Sequence, residues 1–243
     1  MKNSKQLIFS SLLIASFTII SCTTTCPDPE PATVNITNTV WTMEYNNGSS
    51  GNNVYYAAPT FIKDGVATYP ASLPRVGHYF TIFSLPVPPE INLNLDTDSV
   101  KMVTNVKNPT GDGTAFEIDL GLSNDSKGAF ASFQKGASAA FCFLGAGAQQ
   151  ATNVTEHLID PTNFAELSLS IQNNTVNSFR NGTLLKTFDY TGTTTAGGRL
   201  DHLGIAFRGN GTIDWIKLYK GSKLIMSEDF NTAGKTTAVW TMP

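Results

Sequence analysis

Glu117 and Asp119 stand two residues apart in Phe116–Leu122, a segment in which apolar and polar residues alternate. In a strand, that spacing puts both carboxyls on one face. Such a pair can share protons, shift one another's acidity or hold the hydroxyls of a ligand. Aromatic side chains offer a second chemistry. Tyr55, Tyr56, Tyr69, His78 and Tyr79 crowd one stretch that also holds Arg75, and Trp215 follows Asp214. Rings of this kind stack on the C–H faces of polyhydroxylated ligands, while acids, amides and arginine bind the hydroxyls. Arg208 closes another alternating segment. The candidate ligand-binding residues are therefore Glu117, Asp119, Tyr79, His78, Arg208 and Trp215. A core position is the ordinary alternative for Trp215.

Other constellations are weaker. His78, His157 and His202 are far apart, with no spacing that builds a zinc site. Asp96, Asp98 and Asp112 fall in loop-like segments. A structural calcium there is one reading, and polar turn chemistry is the other. No further cofactor is expected. Leu144-Gly145-Ala146-Gly147 opens no helix, so it is not a phosphate loop, and no Gly-x-Ser-x-Gly elbow occurs.

The elements that must position these groups read as strands. After residue 32 there is no sustained helical period. Short runs rich in Val, Ile, Thr, Phe and Tyr are punctuated by Gly, Asn, Asp and Pro, which is the all-β pattern. Phe116, Ile118, Leu120 and Leu122 mark one buried strand face; Ala165, Leu167, Leu169 and Ile171 mark a second; Leu203, Ile205 and Phe207 mark a third. Asn181-Gly182 and Asp64-Gly65 predict tight hairpins, and Gly209-Asn210-Gly211 is expected to link two more strands in the same way. About twelve to fifteen strands are expected, which requires two stacked sheets or a barrel. Val40-Trp41-Thr42-Met43 returns as Val239-Trp240-Thr241-Met242, and the echo predicts two terminal strands close together in one sheet.

Of the 243 residues only 14% are charged, against 41% hydrophobic, and the formal net charge is -3. That composition excludes a coiled coil and a disordered chain, and with no basic block it argues against a nucleic-acid partner. Lys2 and Lys5 precede an apolar run, Leu7–Ile20, that is too short to span a bilayer comfortably. The run ends at Ile19-Ile20-Ser21-Cys22, which resembles a bacterial lipobox. The resemblance implies a lipoprotein signal peptide over residues 1–21 and lipid attachment at Cys22. A Thr- and Pro-rich stretch over residues 22–32 then reads as an extended tether, and residues 33–243 as the folded domain. Loss of the signal takes two lysines and brings the formal charge to -5. The expected location is an outer membrane, on the cell surface or its periplasmic side. Cys26 and Cys142 could pair outside the cytoplasm, although a small core role for Cys142 is favoured.

Thr175–Tyr190, with its Arg-Asn-Gly turn, and Arg199–Asn231, ending in Ser227-Glu228-Asp229-Phe230-Asn231, resemble the closing strands of concanavalin A-like lectin/glucanase (LamG-like) domains. Val106–Leu122 is similar to their middle strands. The resemblance implies an all-β fold: an antiparallel two-sheet jelly-roll β-sandwich with a concave face that often holds sugars. Family 16 glycoside hydrolases share this fold and use a Glu-x-Asp-x-x-Glu strand. Glu117 and Asp119 match its first two acids, which implies Glu117 as nucleophile with Asp119 tuning its acidity. The third position is Leu122, so the general acid of that family has no counterpart there. The leading expectation is an oligo- or polysaccharide-binding lipoprotein. A glycoside hydrolase or lyase of the same fold is the second reading, and a structural or adhesion protein without a small ligand is the third.

Overall fold

The computed structural model describes residues 36–47, 53–73, 79–110, 116–124, 128–135, 142–144, 154–173, 175–189 and 198–243, without the side chains of residues 47, 79 and 142–144. Cys22, Cys26, Arg75, His78 and Asp112 lie outside these residues, as do the Tyr79 and Cys142 side chains. The β unit spans Val34–Pro243.

Sixteen strands are described, two of them only two residues long. In chain order they are β1 (Thr42–Asn47), β2 (Asn53–Ala57), β3 (Ile62–Lys63), β4 (Val66–Thr68), β5 (Tyr79–Pro86), β6 (Val100–Lys107), β7 (Phe116–Ser123) and β8 (Gly128–Lys135). There follow β9 (Cys142–Leu144), β10 (Ala165–Gln172), β11 (Thr175–Arg180), β12 (Thr183–Asp189), β13 (His202–Arg208), β14 (Thr212–Lys220), β15 (Lys223–Glu228) and β16 (Val239–Trp240). The described helical structure is a single turn, Ala58–Phe61, and two 3₁₀ turns at Pro89–Ile91 and Thr155–His157.

The strands form two sheets. One has seven strands in the order β2-β1-β5-β13-β7-β8-β9; the other has nine, running β12-β11-β10-β6-β14-β15-β16 with β4 also pairing β14 and β3 pairing β4. All pairings between named strands are antiparallel, and the chain passes repeatedly between the sheets. This is the all-β, antiparallel two-sheet jelly-roll sandwich that the resemblance implies, and of the two arrangements the alternating segments allow it is the stacked sheets and not the barrel. Ile118, Leu120 and Leu122 of β7, Leu203, Ile205 and Phe207 of β13, and Leu167, Leu169 and Ile171 of β10 all lie in the one core between the sheets.

Two turns form as their sequences predict. Asp64 and Gly65 have φ of 54° and 77°, and Asn181 and Gly182 have 48° and 75°, the left-handed pair a type I′ hairpin requires. Two expectations are corrected. Gly209-Asn210-Gly211 does not close a hairpin: β13 and β14 belong to different sheets, so this tripeptide carries the chain across the sandwich. The terminal echo also divides. β1 lies in the seven-stranded sheet and β16 at the edge of the nine-stranded one. The two ends nevertheless meet. The Trp41 backbone N–H donates to Thr236 Oγ1 at 2.9 Å, and Trp240 Nε1 donates to Thr39 Oγ1 at 3.1 Å.

Candidate functional site

Since Ile118, Leu120 and Leu122 fill the core, Glu117 and Asp119 point to the outward face of the seven-stranded sheet. The register sets their neighbours. One row across the sheet runs Asn46, Phe80, Arg208, Glu117 and Gln134; the next runs Tyr55, Glu44, Ile82, Ala206, Asp119 and Ser132. A third runs Thr42, Ser84, Gly204, Gly121 and Phe130. Three residues named from sequence, Glu117, Asp119 and Arg208, are therefore brought together. Backbone pairing places Tyr79 opposite Asn47 at the end of β5.

The acids are nearly out of water, at 7% exposure for Glu117 and 5% for Asp119. Ser132 Oγ lies 2.7 Å from Glu117 Oε1 and also contacts Asp119 Oδ1 closely. Gln134 Nε2 donates to Glu117 Oε1 at 2.9 Å, and Arg208 Nη1 stands 4.0 Å from Glu117 Oε2. Burial, then the neighbouring Glu117 charge, push the Asp119 carboxyl well above the usual range. Ser132 has a single proton and cannot donate to both acids. The arrangement that satisfies all three groups keeps Asp119 protonated, donating to Ser132 Oγ, which in turn donates to the Glu117 carboxylate.

Asn108, fully buried just beyond β6, fixes the end of this row. Its Nδ2 donates to the Glu117 carbonyl at 2.9 Å and to the Arg208 carbonyl at 2.8 Å. It locks the register in which Arg208 faces Glu117. The Arg208 guanidinium extends over Phe80, 5.9 Å from the ring centroid, with its side chain 29% exposed. Below it, among the described residues, the surface is bare. Gly204 and Gly121 are paired on adjacent strands with Ala206 beside them, and a Cβ at Gly204 would meet nothing within 4 Å. Phe80 and Ile82 on one side and Phe130 on the other flank this trough.

No family model and no curated protein matches this chain. Solved structures do, at low identity. The chain is similar to a carbohydrate-binding module from Bacillus subtilis at 10% identity and a TM-score of 0.40, over 61% of this chain and 91% of that one. An alginate lyase from Corynebacterium sp. matches at 12% identity and a TM-score of 0.43, over 74% of this chain and 92% of that one. A galectin from Caenorhabditis elegans matches at 11% identity and a TM-score of 0.36, over 51% and 87%. Likenesses of this degree carry no residue role over to this chain.

Trp215 does not join the acids. It lies on β14 in the opposite sheet, where a bulge beside Ile213 turns it outward, away from the core. Its ring is half-buried on that sheet's own outward face, with Lys217 Nζ 4.8 Å from the centroid. His157 is fully buried between the sheets. It stacks on Phe133, lies 2.8 Å from the Ser132 carbonyl through Nδ1, and 2.5 Å from Ser178 Oγ through Nε2. Burial lowers its pKa, so the ring is neutral: Nδ1–H donates to Ser132 and Nε2 accepts from Ser178. A serine–histidine pair closed off in the core ties the two sheets and reaches no substrate.

Of the three acids in the calcium reading, Asp96 and Asp98 are described and already have partners, while Asp112 lies outside the described residues. Asp98 accepts the Asn94 N–H at 2.8 Å and pairs with Lys220 at 3.1 Å, while Asp96 accepts the Gly198 N–H at 2.8 Å. Bonded to N–H groups and an ammonium, these carboxylates lock the turns they sit in. Among the described residues no group of three or more His, Cys, Asp and Glu comes together.

Proposed function

We propose that this chain is an exported, lipid-anchored protein whose sandwich binds an oligo- or polysaccharide on the outward face of the seven-stranded sheet. The observation that carries this reading is the bare trough beside Arg208. Glycine weakens the interior of a strand, so two paired glycines in central strands need a reason. Here the missing side chains leave room for a ligand to approach the backbone between Phe80 and Phe130, with the guanidinium at one end to bind hydroxyls. The buried acids beneath act on Arg208 and do not themselves touch the ligand.

Binding is favoured over hydrolysis by the burial and placement of the carboxyls, which at 7% and 5% exposure are withdrawn from any ligand on the face. Two-carboxyl glycoside hydrolysis needs groups about 5–5.5 Å or about 6.5–9.5 Å apart on opposite sides of the bond. Glu117 and Asp119 are on one strand and bonded to the same serine. The remaining described acid in these rows, Glu44, is three strands away from Asp119, roughly 14 Å at the usual strand spacing. The lipid anchor is supported by Ser21-Cys22 at the end of the apolar run.

A glycan array followed by affinity electrophoresis tests the site. Gly204→Leu puts a side chain into the trough at a position where a Cβ meets nothing within 4 Å, and Arg208→Ala removes the hydroxyl-binding head. Each is expected to weaken glycan binding at least tenfold, and no reducing ends should be released. Unchanged binding in both variants would sink this location of the site.

A further inference from the structure

The opposite side of the sandwich carries a second cluster that the reading above does not use. On the outward face of the nine-stranded sheet, Trp215, Lys217 and Tyr219 alternate along β14, with Lys101 of β6 paired to Tyr219. Two cavities share the Trp215–Lys217 wall. One, of about 600 Å³, is lined by Ser227, Asn231, Thr232 and Thr237 and by two acids already bonded to the backbone: Glu228 accepts the Phe230 and Thr237 N–H groups, and Asp229 accepts that of Asn231. The other, of about 350 Å³, is lined by Lys101, Glu166, Tyr219 and Ser222 beside the same wall.

Neither Lys101 nor Lys217 forms an ion pair among the described residues. Their ammonium groups rest on rings instead, Lys101 Nζ 4.6 Å from the Phe179 centroid and Lys217 Nζ 4.8 Å from that of Trp215. A cation on an aromatic face is held in place yet keeps its affinity for an anion, since the ring replaces only part of its hydration. By contrast Lys220, on the same strand, is paired with Asp98.

We propose that this face is a second saccharide-binding surface, selective for chains that carry carboxylate groups, with Trp215 as the stacking platform and Lys217 and Lys101 as the carboxylate-binding cations. The half-buried indole offers a flat apolar ring for the C–H face of a pyranose. Among the described residues the two lysines outnumber one acid, Glu166, along the ≈350 Å³ groove, and the ≈600 Å³ groove offers donors and acceptors for hydroxyls. A hydroxyl- and amide-rich lining with one platform ring suits a sugar chain better than an acidic peptide, whose apolar side chains would need pockets.

The test uses the full-length chain in detergent, in the Gly204→Leu background, so that the opposite trough is closed and the two faces are read separately. The probes are polygalacturonate, its methyl-esterified form and poly-glutamate, compared by affinity electrophoresis at two salt concentrations. Polygalacturonate is expected to bind at least tenfold more tightly than the esterified polymer. Trp215→Ala should lose at least tenfold and Trp215→Phe much less. Lys217→Gln should lose several-fold and reduce the salt dependence. No binding of polygalacturonate, equal binding of the esterified polymer, or parental affinity in both Trp215→Ala and Lys217→Gln would overturn the proposal. Equal affinity for poly-glutamate would overturn it in favour of an acidic peptide. Should Trp215→Ala unfold, the Trp215→Phe and Lys217→Gln comparison still decides.

Discussion

Ser132 is bonded to two carboxyls and has one proton to give, so a second proton must sit on Asp119. A carboxyl whose folded pKa is raised binds its proton more tightly in the native state than in the unfolded chain. Native stability then falls as pH rises from the ordinary carboxylate range through the raised pKa, by at most about 1.4 kcal/mol per pH unit for one proton. Asp119→Asn places an amide N–H₂ where the protonated acid stood and keeps the donation to Ser132. The variant is expected to be at least as stable as the parent at pH 7, with a flatter dependence of Tm on pH between 4 and 8. A loss of stability at pH 7 would show that the ionised form is the native one. The alternation in Phe116–Leu122 was enough to place both acids on one face. Ser132, Gln134 and Asn108 were missed, because they come to Glu117 from β8 and from the end of β6. Cross-strand register depends on the whole sheet, and no local spacing encodes it.

At the scale of elements, the same residue type means different things at different turns. Gly182 serves a left-handed backbone, and Asn-Gly announces it in the sequence. Gly211 has no such need. A Cβ there would overlap the Phe207 ring, which is fully buried against Phe83. Gly209-Asn210-Gly211 resembles a hairpin turn in composition, but its second glycine is required by the packing of the crossing between sheets. That difference was illegible without the core around it. Trp215 was unreadable for a related reason, since a bulge shifts the alternation that would have assigned its face. One substitution separates these causes. Gly211→Ala overpacks the core and is expected to cost about 2–3 kcal/mol, a Tm loss of roughly 5–10 °C for a domain of this size. Gly182→Ala should cost about 1 kcal/mol through its backbone alone. Gly204→Ala, facing open space, should be neutral or slightly stabilising. Thermal unfolding of the three variants checks the order, and a Gly211→Ala protein as stable as Gly204→Ala would refute the packing account.

At the scale of the whole molecule, the alternating strands and turn residues announced two stacked sheets or a barrel, and the low charge reflects strand faces clothed in Thr, Ser and Asn. How the chain closes was only half legible. The Val-Trp-Thr-Met echo marks two ends that do meet, yet they meet as a clasp between sheets. Trp41 packs on Phe230 at 5.8 Å, Thr236 bonds its backbone, and Trp240 bonds Thr39. The core therefore runs from Trp41 to Phe230, with Ile36 and Met242 packed against it. If Cys22 carries the lipid, its only task is attachment, because acyl chains contribute membrane affinity at about 0.8 kcal/mol per buried methylene and nothing to the sandwich. Cys22→Ser in the full chain is thus expected to move the protein from the detergent phase to the aqueous phase on phase partitioning. Its Tm should stay within about 1 °C of the parent, and its affinity for glycan should not change. A Cys22→Ser protein that still partitions into detergent would refute the anchor, while a lowered Tm would mean that the tether braces the sandwich after all.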